Sequence, residues 1–142
     1  FIYIFISFGN IRATLIVLLP VVVGSVWTVG VMGLMKVSFN LANLVILPLI
    51  IGIGVVNGVH MVHRYREETD KSVNILSRST GKGVVLSSLT TMIGFGSLMI
   101  ADYQGIYSLG LVLTLGVGCC LIASITVLPS ILRLCAVKGW DL

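Results

Sequence analysis

Four long segments of this chain are almost entirely apolar, and they restrict it to folds that use lipid as a solvent. They run approximately over residues 13–35, 41–62, 83–101 and 106–134. Each is close to or above the roughly 20 apolar residues with which an α-helix crosses a bilayer. Only 10% of the 142 residues are charged, whereas a soluble domain carries about 25%. The sequence therefore predicts an all-α, polytopic membrane helix bundle.

Two further stretches complete the predicted organisation. Residues 1–8 are apolar and are predicted to be the end of another membrane helix. Because the chain starts inside this stretch without a methionine or a basic leader, we expect it to be the C-terminal part of a longer protein. In the connection 64–82, Val73, Ile75 and Leu76 alternate with polar residues. That pattern predicts a short amphipathic helix on the membrane surface.

The basic residues predict how the helices are oriented. They are numerous in the connection 64–82 and near the end of the chain, whereas the turn after the first long segment carries Lys36 alone. Positively charged loops stay on the cytoplasmic side of a membrane. We therefore expect the 64–82 loop and the C-terminus to be cytoplasmic. The net charge of +4 is explained by this orientation, so no nucleic-acid partner is predicted.

The predicted spans contain no carboxylate. The five acidic residues fall in loops or at segment ends: Glu67, Glu68, Asp70, Asp102 and Asp141. Proton-driven transporters commonly keep an Asp or Glu inside the membrane as the proton carrier, and this chain shows none of that kind. The spans also lack a metal-ligand cluster and a nucleophile–base pair. We therefore predict neither an enzyme nor a bound cofactor or metal.

Four polar side chains are candidates for a polar path between the helices: Asn57, His60, Thr90 and Thr91. For Asn57, deep in its segment, a hydrogen bond between helices is favoured over a place on a substrate or ion path. For His60, near the segment end, interfacial anchoring is favoured over proton relay. Thr90 and Thr91 lie on a hydroxyl-rich segment, where helix packing is favoured over a hydrated relay facing Asn57.

Glycines predict where the helices approach most closely. Gly54 and Gly58 form a G-x-x-x-G pair with Gly52 just before it, and Gly94 and Gly96 form a second cluster on the next long segment. Small residues let membrane helices pack with their backbones close together. We therefore expect the two clusters to lie at a contact between these consecutive helices.

The joint order of these motifs resembles the resistance-nodulation-division (RND) superfamily. The stretch Gly-Ile-Gly-Val-Val-Asn-Gly, followed by Arg-Tyr-Arg-Glu-Glu, is similar to the fourth or tenth span of that superfamily. The stretches that carry the resemblance, in chain order, are 52–68, 88–98, 102–110 and 126–132. Residues 40–60 most resemble the hopanoid-transporter branch, which is related to the MMPL lipid exporters.

The resemblance implies a protein of two six-span halves with two periplasmic domains, in which residues 1–142 are the C-terminal part of a transmembrane domain. It implies proton-coupled export of hydrophobic lipids such as hopanoids from the bacterial inner membrane. The implied partners are membrane lipids, the other half and the periplasmic domains, and a homo-oligomer stays open. Val56 stands where the superfamily commonly has the proton-carrying Asp of a Gly-x-Gly-x-Asp pattern. The alternative is therefore a non-transporting bundle that senses lipid or sterol or acts as a scaffold.

Overall fold

Four long helices make up almost all of the fold. The structure is a computed structural model that describes residues 11–37, 41–67 and 80–137. Its helices are α1 (Ile11–Leu34), α2 (Leu41–Glu67), α3 (Thr80–Gly96) and α4 (Gln104–Val137), and a 3₁₀ turn, Ser97–Ile100, follows α3. These ranges contain no strand. The predicted all-α membrane helix bundle is therefore confirmed.

All four helices are long and apolar enough to cross a membrane. The segments that meet this criterion among the described residues are Thr14–Leu34, Leu44–His63, Gly81–Ile100 and Gln104–Leu132. They overlap the four long segments of the sequence. Helix α2 continues beyond its apolar part as far as Glu67. The predicted partial span at 1–8 and the surface helix around 73–76 lie outside the described residues.

Helix α1 ends in a hydrogen-bonded cap. The Val37 N–H donates to the Met32 carbonyl oxygen at 3.0 Å, and the Lys36 N–H donates to the Gly33 carbonyl oxygen at 3.2 Å. These two bonds form a Schellman motif, whose closing residue adopts the left-handed conformation and is usually glycine. Here that residue is Lys36, with φ of 52°.

Helices α1 and α2 are antiparallel and very close. A Cβ atom added to Gly54 would lie 3.4 Å from the Val21 side chain, and one added to Gly58 would lie 2.9 Å from the Val17 carbonyl oxygen. Moving forward along α2 therefore moves backward along α1. Since any side chain at Gly58 would collide with the α1 backbone, this crossing depends on glycine.

Helix α4 is the central helix of the bundle and packs against each of the other three. It runs parallel to α2, because Ile50 lies beside Gly116 and Gly54 lies beside Cys120. It runs antiparallel to α3, since Gly118 contacts the Met92 side chain and Gly110 lies against Leu98. The four helices therefore alternate in direction along the chain.

Two hydrophobic clusters fill the space between the helices. One lies toward the end of the bundle where α2 finishes, and it consists of Ile16, Val17, Met61, Val62, Val84, Leu121, Leu128 and Leu132. The other lies toward the opposite end, and it consists of Met32, Ile46, Ile50, Val112, Leu113 and Cys120. Helix α4 contributes side chains to both clusters.

Candidate functional site

A hydrogen bond between two buried polar side chains joins α2 to α3. The Asn57 Nδ2 atom donates to the Ser88 Oγ atom at 3.2 Å. Only 5% of Asn57 and 2% of Ser88 are exposed, so the bond is enclosed by the helices. Hydrogen bonds of this kind add modestly to helix association in lipid. The favoured interpretation of Asn57, an interhelical hydrogen bond, therefore has a geometric basis.

A third polar residue, Ser124 of α4, lies at the same height. Helices α2 and α4 are parallel with Gly54 beside Cys120, so four residues further on Ser124 is level with Gly58 and its neighbour Asn57. Ser124 is buried, and its Oγ atom has no hydrogen-bond partner within the described part of the chain. We call Asn57, Ser88 and Ser124 the polar node.

The missing partner of Ser124 is unusual for this helix. Other hydroxyls on α4 donate to the carbonyl oxygen four residues earlier, as Thr114 does to Gly110 at 2.8 Å and Thr126 does to Ile122 at 2.7 Å. That bond is the ordinary way in which a helical hydroxyl is satisfied. The Ser124 hydroxyl makes neither this bond nor any other with the described residues.

Thr90 and Thr91, for which helix packing was favoured over a relay facing Asn57, do not contact Asn57. Thr90 is exposed and donates to the Leu86 carbonyl oxygen at 2.8 Å. Thr91 is half-buried and donates to the Ser87 carbonyl oxygen at 2.9 Å. Both hydroxyls are thus satisfied within their own helix. The hydroxyl that reaches Asn57 belongs to Ser88, which the helical spacing of the hydroxyl residues did not single out.

Helix α2 also has a face that none of the other described helices covers. His60 is exposed on it, Val56 is 52% exposed, and Gly52 has no atom within 4 Å of where a Cβ would stand. We call Gly52, Val56 and His60 the open face of α2. Val56 and Asn57 adjoin in sequence, but they project in different directions. Asn57 therefore does not occupy the place of the carboxylate that the superfamily commonly has at position 56.

The glycines pack differently from the prediction. Gly54 and Gly58 are at close contacts, but these contacts are with α1 and α4. Gly94 has no atom within 4 Å of an added Cβ, and at Gly96 the nearest atom, Thr114 Oγ1, is 3.7 Å away. The expected contact between the two glycine clusters is therefore corrected: the clusters do not face each other.

Two tight crossings were missed by sequence reasoning. A Cβ added to Gly24 would lie 2.8 Å from the Cys120 Cα atom, and one added to Gly110 would lie 2.7 Å from the Phe95 carbonyl oxygen. Neither glycine is part of a G-x-x-x-G pattern in the sequence. Only the crossing itself identifies them, since isolated glycines are common in membrane helices.

The polar node consists of neutral groups. An amide and two hydroxyls can orient a water molecule or a polar group, but none of them changes charge in the ordinary pH range. The node can therefore link helices or order water, and it cannot itself store a proton. Among the described residues, no group of His, Cys, Asp or Glu is arranged to hold a metal ion.

The sequence of this chain is similar to a known family of membrane proteins. The model of the MMPL family matches residues 1–141. A membrane protein of Methanocaldococcus jannaschii is 34% identical over 133 residues, which are 89% of this chain and 34% of that protein. No solved structure matches the chain.

Two bacterial relatives are named as hopanoid transporters. HpnN of Burkholderia multivorans is 32% identical over 122 residues, or 86% of this chain. HpnN of Rhodopseudomonas palustris is 31% identical over 114 residues, or 80% of this chain. The aligned part is 13% of each transporter. The chain thus spans only a small part of these relatives.

Proposed function

This chain belongs to the MMPL family, and from that premise we propose that it forms the transmembrane portion of a proton-coupled exporter of hydrophobic lipids, with hopanoids as the substrate class. The family match over almost the whole chain is the observation that carries the proposal. The two relatives named as hopanoid transporters support the substrate class. Family members are transporters, so we propose transport and not catalysis.

The open face of α2 supports a mechanism with the proton carrier elsewhere in the protein. Val56 holds the position of the superfamily's carboxylate and is half-exposed. In the proposed mechanism a carboxylate on a helix from the other half of the transporter lies against this face. Its protonation changes the position of α2, and the Asn57–Ser88 hydrogen bond makes α3 follow. Relative movement of two repeats is the usual basis of alternating access.

The uncovered face of α3 supports contact with that other half. Small and hydroxyl residues recur along it at spacings of four and three, and each is exposed: Gly83, Ser87, Thr90, Gly94 and Ser97. Interfaces between membrane helices are enriched in such residues, whereas a surface facing lipid has no need of them. We propose that a helix of the same transporter covers this face, with a homo-oligomer as the alternative.

We further propose a cytoplasmic-membrane location with the 64–82 loop and the C-terminus in the cytoplasm. The excess of Lys and Arg at that side of the membrane supports the orientation. The alternating directions of α1 to α4 agree with it, since they put the α1–α2 and α3–α4 turns on one side and the α2–α3 connection on the other.

A second candidate function is a non-transporting lipid sensor or scaffold of the same superfamily. The specific observation in its favour is Val56, because an uncharged residue at this position removes a proton carrier from this half. The polar node is neutral as well, so it does not replace that carrier.

The deciding experiment is transport by the full-length parent protein in reconstituted vesicles. A labelled hopanoid is supplied, a pH gradient is imposed, and movement across or out of the bilayer is followed. We expect movement that requires the gradient and stops when a protonophore collapses it. Hopanoid binding without gradient-dependent movement would favour the sensor or scaffold.

A further inference from the structure

We propose that a cavity between the end of α1 and the start of α4 binds the phosphate headgroup of an anionic phospholipid. The cavity has a volume of about 520 Å³, and the side chains that line it include Lys36, Val37, Gln104, Tyr107, Ser108 and Leu111. The span of α1 ends at Leu34 and that of α4 begins at Gln104. The cavity therefore lies at the depth where apolar helices leave the hydrocarbon and headgroups begin.

The lining of this interfacial cavity matches an amphiphile. Lys36 is its charged residue, Gln104 and Ser108 add polar groups, and Val37 and Leu111 are apolar. A volume of several hundred Å³ is typical of sites for small molecules or headgroups. Asp102, the acidic residue closest in sequence, is exposed and does not line the cavity. The charge offered to a ligand there is consequently positive.

The start of α4 adds to this positive potential. The Tyr103 carbonyl oxygen accepts the N–H groups of Ile106 and Tyr107 at 3.0 Å each, which closes the first turn. The first turn itself contains no acidic side chain, and Asp102, which precedes it, does not line the cavity. A helix N-terminus favours a nearby negative group, and here it reinforces the attraction of Lys36 for a phosphate.

The backbone at Lys36 gives an independent reason to look for a role of its side chain. Its φ of 52° lies in the left-handed region, where a residue with a Cβ is less stable than glycine. Glycine at this cap would relieve the strain but would remove the ammonium group from the cavity. This left-handed residue at the edge of a cavity makes the Lys36 side chain the one to test.

The occupant is a lipid headgroup and not free phosphate, because apolar side chains line the cavity beside the basic one. Lysines near a membrane surface attract anionic lipids, and each contributes about a five-fold gain in affinity. This inference requires only that the helices span a bilayer. It holds or fails independently of transport, so the two tests give separate answers.

The test uses the full-length protein and phosphatidylglycerol as the probe. Binding is measured by native mass spectrometry, and thermal unfolding is compared in nanodiscs of phosphatidylcholine alone and of an equimolar mixture with phosphatidylglycerol. The variants are Lys36→Gly, Lys36→Gln and Lys36→Arg. The matched control is Lys82→Gln, which removes an exposed lysine at the start of α3, outside the cavity.

We expect Lys36→Gly and Lys36→Gln to weaken phosphatidylglycerol binding by more than the about five-fold that any lysine at a membrane surface contributes, and therefore by more than Lys82→Gln does, and we expect Lys36→Arg to keep it. Lys36→Gly should also raise the unfolding temperature in phosphatidylcholine, since it relieves the cap, while losing the extra shift given by phosphatidylglycerol. The proposal is overturned if Lys36→Gly binds phosphatidylglycerol like the parent, or if Lys82→Gln loses as much. Displacement of the lipid by inorganic phosphate would overturn the choice of a lipid over a free anion.

Discussion

The two faces of α2 carry similar residues in opposite surroundings. On the inward face, a side chain at Gly58 would meet the Val17 carbonyl oxygen at 2.9 Å, whereas at Gly52 on the open face there is no atom within 4 Å. Asn57 is enclosed, whereas its neighbour Val56 is half-exposed. One residue turns a helix by about 100°, so adjacent motif residues have different partners. Glycines and polar residues on the inward face of α2 pack against other helices of this chain. Those on the open face have no such neighbour and are open to contact with another part of the full-length protein.

The largest expected effect separates the two faces by the same substitution. Gly58→Leu should destabilise the full-length protein by about 3 kcal/mol, because overpacking against a backbone is not relieved by a rotamer change. Gly52→Leu is the matched comparison and should cost clearly less, because no atom of this chain lies within 4 Å of its Cβ position and only the proposed contact with the other half would oppose the added side chain. Unfolding in detergent, followed by circular dichroism against temperature or denaturant, measures both. Equal effects of the two substitutions would show that the open face is packed as tightly as the inward face in the full-length protein.

A second substitution asks what covers the open face. Val56→Asp should be tolerated in the full-length protein. Its cost in insertion free energy should be well below that of an Asp at the centre of a lipid-facing helix, which is about 2.5–3.5 kcal/mol. The control is Leu19→Asp, which the register of α1 and α2 places level with Val56 and which lies on an exposed, apolar face of α1; it should bear the full cost. Glycosylation-mapped insertion and folded yield report the difference. If both variants fail equally, the open face of α2 meets lipid and the proposed contact with another half is lost.

The smallest effect concerns the polar node. A double-mutant cycle of Asn57→Ala and Ser88→Ala should give a coupling energy of about 0.6 kcal/mol, as is typical of hydrogen bonds between membrane helices. Ser124→Ala is the matched control, because its hydroxyl has no partner in the described chain, and its removal should be neutral or slightly stabilising. Chemical unfolding of the four proteins gives the coupling. A loss of about 1 kcal/mol or more for Ser124→Ala would reveal a bound water or other partner at the node.

The fold was predictable because its main determinant is length. Four apolar runs of about 20 residues leave little choice but four helices, and the described helices overlap all of them. The ends were less predictable. Helix α2 runs on to Glu67 and α3 gives way to a 3₁₀ turn at Ser97, since backbone hydrogen bonding and not hydropathy decides where a helix stops.

The site was only partly predictable, for a physical reason. In water a polar stripe marks the outside of a helix, but lipid is as apolar as leucine, so hydropathy does not show which face turns inward. Asn57 stood out because it is strongly polar. Ser88 did not, because the more regular hydroxyl repeat through Thr90 belongs to the exposed face of α3. Val84 and Ser88 are four residues apart and both buried, so they mark the inward face of α3. Their spacing alone does not reveal this, because only the packed helices show which face is inward.

Helix α4 supplies side chains to both hydrophobic clusters, and this has a consequence for biogenesis. The ribosome makes α4 after the other three helices, at roughly 5–20 residues per second. Until it arrives, α1, α2 and α3 lack the surface that completes their cores, and Gly24 has no Cys120 to pack against. For several seconds the nascent chain therefore consists of inserted helices whose hydrophobic clusters are incomplete. A stop codon or a defect within α4 would therefore leave α1, α2 and α3 incompletely packed and exposed to membrane quality control, even when their own sequences are unchanged.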